Sequence, residues 1–260
     1  MSLLRSFALV GLAALALAAC NRDRPLEGER VGLRAPWGES SAEVVNRSLP
    51  ISLGTPTANA AWSQRQGTPG ARPGHPALSA SPQLVWSTSI GEGDSRRLRL
   101  ATDPVGADGR LFTLDARARV QATSTSGEVL WSVDLTPARD RRNTASGGAL
   151  AVSGGRLYVS SAFAFVAALD VATGREIWRV DFDAPLTGSP AVQGDTLYVG
   201  AIDSSLWALD AASGRVRWTL PGTPTLTALA RGSAPAVAGE YVVFPTSAGE
   251  LTAIRRSNGG

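Results

Sequence analysis

The chain has 260 residues, a formal net charge of +3 and a single cysteine. One cysteine excludes an intrachain disulfide and a metal site built from several thiolates. The basic residues are scattered, so the sequence lacks the basic stripe with interleaved aromatic residues that is typical of nucleic-acid-binding proteins. With 28 glycines and 16 prolines, the composition favours a fold with many tight turns.

The first twenty residues predict export and lipidation. Arg5 precedes an apolar run from Phe7 to Ala18, which is shorter than the roughly 20 residues needed to cross a membrane and has the length of a secretory signal. The run leads into Leu17-Ala18-Ala19-Cys20, which resembles the bacterial lipobox. Residues 1–19 are therefore predicted to be a lipoprotein signal peptide, with Cys20 as the lipidated first residue of the mature chain.

Asn21 follows the predicted lipidation site. This residue resembles the sorting signal of outer-membrane lipoproteins, whereas Asp would favour the inner membrane. Because one acyl chain binds a membrane only weakly, stable anchoring implies several chains on Cys20. The predicted location is therefore the periplasmic face of the outer membrane. The following stretch, up to residue 81, is rich in Pro, Gly and Ser without a sustained apolar period, so residues 20–81 are interpreted as the lipidated N-terminus and a tether.

Residues 82–260 contain an internal repeat, seen best in segments 111–131, 157–178 and 197–218. Each segment opens with an apolar run, continues with a second run nine residues later, and ends with a Trp four residues after a Gly. The repeated residues are Gly127, Gly174, Gly214, Trp131, Trp178, Trp218, Asp170 and Asp210. The tryptophans are spaced 47 and 40 residues apart, which is the size of one four-stranded propeller blade.

The apolar runs are three to five residues long and are bounded by turn residues, which predicts strands. The predicted fold is an all-β propeller of four-stranded antiparallel blades. Counting from Trp86, we expect one outer strand, three complete blades, and three strands of a fourth between Ala234 and Ile254. Gly259 aligns with the repeated glycines, so the next Trp would fall just past residue 260.

The repeated residues are assigned structural roles. Asp and Gly shape the turns, and each Trp packs between blades. No ring of carboxylates is maintained, because Ser124 and Arg255 occupy the slot that Asp170 and Asp210 fill in the other copies. A catalytic or ligand-binding role for these positions is therefore not favoured.

The pattern of Ala168-Leu169-Asp170, Gly174 and Trp178, repeated forty residues later, resembles the pyrroloquinoline-quinone-type propeller repeat. Quinoprotein dehydrogenases and the BamB lipoproteins of the outer-membrane β-barrel assembly machinery share this repeat. The lipobox and the stretches 25–31, 84–93 and 165–170 favour the BamB family, and the resemblance covers nearly the whole chain. A BamB-like propeller is expected to have eight blades, of which this chain holds about four.

The resemblance implies a non-catalytic scaffold that binds the POTRA region of BamA, acts with other lipoproteins of the machinery, and assists insertion of outer-membrane proteins. Propellers commonly bind partners through loops at one end of the ring. Connections 134–148 and 181–188 are therefore candidate contacts, and the first carries Arg139, Asp140, Arg141 and Arg142. An ordinary solvated loop is the alternative interpretation.

No cofactor, metal, catalytic residue or small-molecule substrate is predicted. The dehydrogenases that the repeat resembles commonly carry a vicinal disulfide and a Ca²⁺ site, and the sequence offers neither a cysteine pair nor a cluster of acidic ligands. Two alternatives stay open: a lipid-anchored propeller that binds another protein or a polysaccharide, and a fragment of a quinoprotein dehydrogenase. The half-length repeat array indicates a fragment of a longer propeller, or a closed four-bladed ring completed by the strand at Trp86.

Overall fold

The computed structural model describes residues 50–71, 74–140, 145–186, 188–223, 234–247 and 249–260. The regular elements of this described part are strands, and all of them lie in one compact unit, Ser52–Gly260. The predicted signal peptide, Cys20, Arg141 and Arg142 lie outside the described residues.

Fifteen strands in the described part form four antiparallel sheets, and the strands of each sheet follow one another in chain order. The first sheet contains β1 (Val105–Ala107), β2 (Arg110–Leu114), β3 (Arg119–Ser124) and β4 (Val129–Asp134). The second contains β5 (Gly148–Ser153), β6 (Arg156–Ser161), β7 (Phe165–Asp170) and β8 (Glu176–Asp181). The third contains β9 (Ala191–Gln193), β10 (Thr196–Gly200), β11 (Leu206–Asp210) and β12 (Val216–Leu220). The fourth contains β13 (Ala236–Ala238), β14 (Tyr241–Pro245) and β15 (Leu251–Arg255).

The sheets pack face to face in chain order, because alternate side chains of one strand enter two different cores. Leu157 and Val159 of β6 pack against the first sheet, whereas Tyr158 between them packs against the third. In β10, Leu197 faces the second sheet and Tyr198 the fourth. A strand buried on both faces needs apolar residues at consecutive positions, which is why these runs are short and continuously apolar.

The prediction of a propeller with four-stranded antiparallel blades is confirmed, including three strands where a fourth blade was expected. The strand predicted at Trp86 is wrong. Residues 82–90 contain no regular strand, because no described strand pairs with them to form a ladder. They nevertheless place Trp86 against Gly127 of the first sheet, as the outer-strand tryptophans are placed against the corresponding glycines of the following sheets.

The first strand of each sheet lies at the inner edge of the array. Strands β1, β5, β9 and β13 contact their counterparts in the neighbouring sheets, and the outer strands β4, β8 and β12 are the more exposed ones. Chain direction alternates from strand to strand, so the turns after second strands and the connections between sheets lie at the same end. We call this end the connection face; its described loop residues are 115–118, 135–140, 145–147, 162–164, 182–186, 188–190, 201–205, 221–223, 234–235 and 246–250 without residue 248.

Candidate functional site

The repeated tryptophans form the joints between neighbouring sheets. Trp131 of the first sheet lies against Gly174 of the second, where a Cβ atom would fall 2.6 Å from the indole Cε3. The Trp131 indole nitrogen donates a hydrogen bond to the Val171 carbonyl at 3.0 Å. Gly174 has φ of +71°, so the residue both shapes the turn and leaves the indole room.

The same joint recurs along the array. Trp178 lies against Gly214 and Trp218 against Gly259, and their indole nitrogens donate to the carbonyls of Ala211 and Arg256 at 3.3 and 2.9 Å. Each indole also lies 6.0 Å, between ring centroids, from an aromatic ring of its own sheet. The repeated Gly and Trp positions are thus used in packing between sheets.

Trp86 makes an equivalent joint with the first sheet. Its indole lies against Gly127, which has φ of +91°, and its nitrogen donates to the Thr125 carbonyl at 2.8 Å. The segment that follows is held nearby, since the Gln121 side chain donates to the Ser89 carbonyl at 2.9 Å. The segment therefore packs against the first sheet without pairing with it as a strand.

The repeated aspartates organise the turns beside these joints. The Asp170 carboxylate accepts hydrogen bonds from the backbone and side chain of Thr173, at 2.9 and 2.7 Å, and these bonds lower the Asp170 pKa. Asp210 makes the same bonds with Ser213, and it also accepts from Arg217 at 2.7 Å. The Arg217 guanidinium bridges Asp210 and Asp195, and it is the main reason that the Asp210 pKa lies far below its ordinary range.

We predict that Asp210→Asn lowers the melting temperature at pH 7 and weakens the acid dependence of stability. The carboxyl pKa is lower in the folded than in the unfolded chain, where it is about 3.9, so the stabilisation is present above pH 4 and is lost as pH falls through the folded-state pKa. The difference in melting temperature from wild type should therefore shrink below pH 4. Thermal unfolding at pH 7 to 2 measures this, with Asp183→Asn as the reference for removing one exposed carboxylate. A difference that stays constant with pH would contradict the prediction.

On the connection face lies Trp207, which is not one of the tryptophans that pack between neighbouring sheets. Trp207 of β11 is partly buried, and its ring meets Phe182 edge to face at 5.2 Å between centroids. Its indole nitrogen donates to the Ser205 hydroxyl at 3.1 Å, and that hydroxyl donates to Asp203 at 2.6 Å. These bonds hold the indole in one orientation beside an open cleft.

This cleft has a volume of about 330 Å³ and lies where the connection from the second to the third sheet meets the end of β12. Phe182, Ala184, Ala201 and Trp207 give it an apolar wall, and Asp183 and Asp203 are acidic groups in its lining. An aromatic pair with polar groups around it is the usual composition of a protein-binding surface. The arrangement therefore provides apolar and acidic contacts for a binding partner.

The charged loop that the sequence singled out belongs to the same face. Arg139 and Asp140 are exposed, and Asp140 closes a turn by donating its backbone N–H to the Pro137 carbonyl at 3.0 Å. Arg141 and Arg142 lie outside the described residues. Of the four loop residues predicted to contact a partner, the structure therefore describes Arg139 and Asp140, and their role stays a prediction.

A second cleft of about 370 Å³ opens on this face beside the first sheet. The buried Asp115 carboxylate accepts backbone hydrogen bonds from Glu92, Arg117 and Arg119, at 2.9, 2.8 and 2.8 Å. Its hydrogen bonds fasten the segment after Trp86 to the turn between β2 and β3. The role of Asp115 is therefore structural. The exposed ion pair between Arg117 and Glu92, with 3.2 Å between nitrogen and oxygen, lies at the rim of the cleft.

Sequence analysis named the connection 181–188 as a candidate contact without singling out Phe182 in it, and it missed Trp207. A signal for Trp207 exists in the repeat, because the slot that it fills holds Gln121, Ala167 and Thr252 in the other copies. Because a large aromatic residue occupies this position in one copy only, it is not part of the packing that all copies have in common. Phe182 gave no such signal, since it follows the outer strand in a connection whose length differs from copy to copy.

The described residues contain no group of three or more His, Cys, Asp or Glu side chains that could hold a metal ion. In the same part of the chain, no helix is long and apolar enough to cross a membrane.

Four meander sheets joined face to face by tryptophans define a β-propeller repeat protein. Residues 116–260, more than half of the chain, match the family described as outer membrane protein assembly factor BamB. The chain belongs to this family.

Individual relatives agree with the fold and the family. Over 103 residues the chain is 31% identical to the outer membrane protein assembly factor BamB of Salmonella typhimurium, a match covering 38% of this chain. The match spans about a quarter of that relative, 26% of its length.

Among solved structures, the quinohemoprotein alcohol dehydrogenase ADHIIG of Pseudomonas putida HK5 has a TM-score of 0.61 at 18% identity, covering 77% of this chain and 39% of its own. The quinohemoprotein alcohol dehydrogenase of Comamonas testosteroni has a TM-score of 0.56 at 19% identity, covering 78% and 40%. At these identities the likeness shows the propeller fold alone.

Proposed function

We propose that the protein is a non-catalytic scaffold of outer-membrane protein assembly that binds BamA through its connection face. The family match over residues 116–260 is the observation that carries this proposal. The proposal includes attachment to the periplasmic face of the outer membrane through Cys20, and association with other lipoproteins of the assembly machinery.

Packing favours the connection face over the opposite one. At the opposite end the indoles of Trp131, Trp178 and Trp218 are taken up by joints between sheets. Trp207 and Phe182 line an open cleft instead, and hydrogen bonding already restrains the Trp207 indole. A restrained aromatic side chain loses little conformational entropy when a partner covers it, which makes this pair the expected centre of the contact.

Charge around the cleft favours a partner with basic groups at the edge of the contact. Asp183 is exposed, and Asp203 is partly buried and accepts a hydrogen bond from the Ser205 hydroxyl. Exposed charges at the rim of an interface mainly affect the association rate and its salt dependence. We therefore expect the aromatic pair to determine affinity, with Asp183, Arg139 and Asp140 adjusting the rate of association.

We predict that Trp207→Ala reduces recovery of BamA at least tenfold when the full-length protein is affinity-purified from solubilised outer membranes. Loss of a central aromatic contact commonly costs about 2 kcal/mol or more of binding free energy, which exceeds a factor of ten. Tyr241→Ala is the matched control, because Tyr241 is 42% exposed and begins β14 at the opposite end. Unchanged BamA recovery with a folded Trp207→Ala variant would contradict the proposed contact, and absence of BamA from the wild-type sample would contradict the assembly role.

The non-catalytic part of the proposal needs its own test, because the structural neighbours include quinohemoprotein dehydrogenases. Incubation with pyrroloquinoline quinone, Ca²⁺ and an alcohol, followed by dye reduction, is the direct assay. We expect no dye reduction above the rate measured without the protein. Saturable dye reduction that depends on both additives would replace the scaffold role with an enzymatic one.

A further inference from the structure

A segment of this chain that belongs to none of the four sheets covers their inner edges. A strand at a sheet edge presents backbone N–H and C=O groups that its own sheet does not pair. Residues 62–69, which we call the strap, run along these edges and make hydrogen bonds with the first strand of every sheet. The sequence alone predicts that this segment is part of the tether.

The strap meets the two N-terminal sheets through backbone hydrogen bonds. Trp62 and Gly106 of β1 exchange both of their backbone hydrogen bonds, at 2.7 and 2.8 Å, as in an antiparallel ladder. The Ser63 carbonyl then accepts from the backbone N–H of Val152 in β5 at 2.8 Å. Two successive strap residues thus bridge two different sheets.

The contact with the third sheet uses a buried amide side chain. Gln64 is 3% exposed, and its Nε2 donates to the Val192 carbonyl of β9 at 3.0 Å while its Oε1 accepts from the Val192 N–H at 3.4 Å. The side-chain amide therefore pairs with β9 in the way that a neighbouring strand would. The Pro69 carbonyl completes the series by accepting from the N–H of Val237 in β13 at 2.8 Å.

The strap and its flanks also make backbone hydrogen bonds with each other. Its flanks are joined by backbone bonds from Thr57 to His75 and from Ala77 to Thr57, at 2.9 and 2.8 Å. Within it, Gly67 donates to the Gln64 carbonyl at 2.8 Å and lies against the Trp62 ring. Such internal bonds lower the conformational entropy that is lost on docking.

From these contacts we infer that the inner strand edges form a binding site for an extended polypeptide, and that the strap occupies this site as an internal ligand. Main-chain hydrogen bonds recognise an extended backbone and tolerate many side chains, so the ligand class is an unfolded peptide segment with an amide side chain opposite β9. The site is distinct from the connection face and does not depend on the BamA contact.

The first test uses hydrogen exchange on the full-length protein. In wild type the amides of Val152, Val192 and Val237 should be protected, although each lies on a strand edge. Gln64→Ala should speed exchange at Val192 at least tenfold, whereas Gln66→Ala, a change of the same type at an exposed strap residue, should leave it unchanged. Equal exchange at Val192 in wild type and Gln64→Ala would overturn the inference.

The second test empties the site. In the full-length chain, residues 62–69 are replaced by eight Gly and Ser residues, and a fluorescent peptide of residues 60–71 is added in trans. The inference expects saturable binding to the replaced protein, at least tenfold weaker binding to wild type because its site is filled, and at least tenfold weaker binding of a peptide carrying Gln64→Ala.

A replaced protein that keeps its β-sheet circular dichroism and binds no peptide would overturn the inference. If the replacement prevents folding, the exchange comparison at Val192 decides the question by itself.

Discussion

Replacing Trp178 with alanine is expected to lower the free energy of unfolding by about 3 to 5 kcal/mol, the range for truncating a large packed aromatic side chain. The indole fills the joint between the second and third sheets, where it lies against Gly214 and 6.0 Å from the Tyr158 ring. Its nitrogen and the Tyr158 hydroxyl both donate to the Ala211 carbonyl, at 3.3 and 3.1 Å. Urea unfolding followed by circular dichroism measures the loss.

Trp178→Phe separates the two contributions at this joint. Phenylalanine keeps an aromatic ring against Gly214 and loses the hydrogen bond to Ala211, so its expected cost is smaller and includes about 1 kcal/mol for that bond. Tyr158 stays able to donate to the same carbonyl, so the acceptor keeps a partner. A cost below about 1 kcal/mol for Trp178→Ala would show that the joint does not hold the two sheets together.

Gly214→Ala is expected to destabilise the same joint from its other side, by about 2 to 4 kcal/mol. The residue has φ of +75°, which costs an alanine about 1 kcal/mol or more. The new Cβ would lie 2.8 Å from Cε3 of Trp178 and 3.0 Å from Cγ2 of Val180, so the indole would have to move. Overpacking of this kind typically adds 1 to 3 kcal/mol.

Gly194→Ala in the same sheet is the matched control. Gly194 has φ of +62°, and a Cβ there would meet no atom within 4 Å. Its replacement should therefore show the backbone cost alone, and the difference between the two variants measures the steric conflict with Trp178. Equal destabilisation by the two substitutions would contradict the packing role of Gly214.

Much of the blade architecture could be predicted because it depends on short-range patterns. Turn residues such as Asp170 and Gly174 act within four positions of each other, and alternation along a strand decides which core each side chain enters. The repeat spacing then placed Gly259 in register with Gly214, and the structure places Trp218 against it.

Prediction failed where a residue's role depends on distant parts of the chain. Trp86 was expected on a strand, yet it makes its joint from a segment without a ladder, because docking of an indole needs only a glycine turn and a carbonyl acceptor. Trp207 was read as one more strand residue. Its connection to Phe182 depends on how the sheets pack, and that is not encoded in local periodicity.

By itself, the sequence determined the repeat, the four-stranded blades, the Gly and Trp positions and the resemblance to the BamB family, since each follows from local spacing and composition. Only the tertiary structure decided that Trp207 and Phe182 share a cleft and that residues 62–69 cover four inner strand edges. The physical reason is that backbone hydrogen bonds leave no side-chain pattern. A Pro- and Gly-rich segment whose carbonyls bond to distant strands therefore reads as a tether until the sheets are assembled around it.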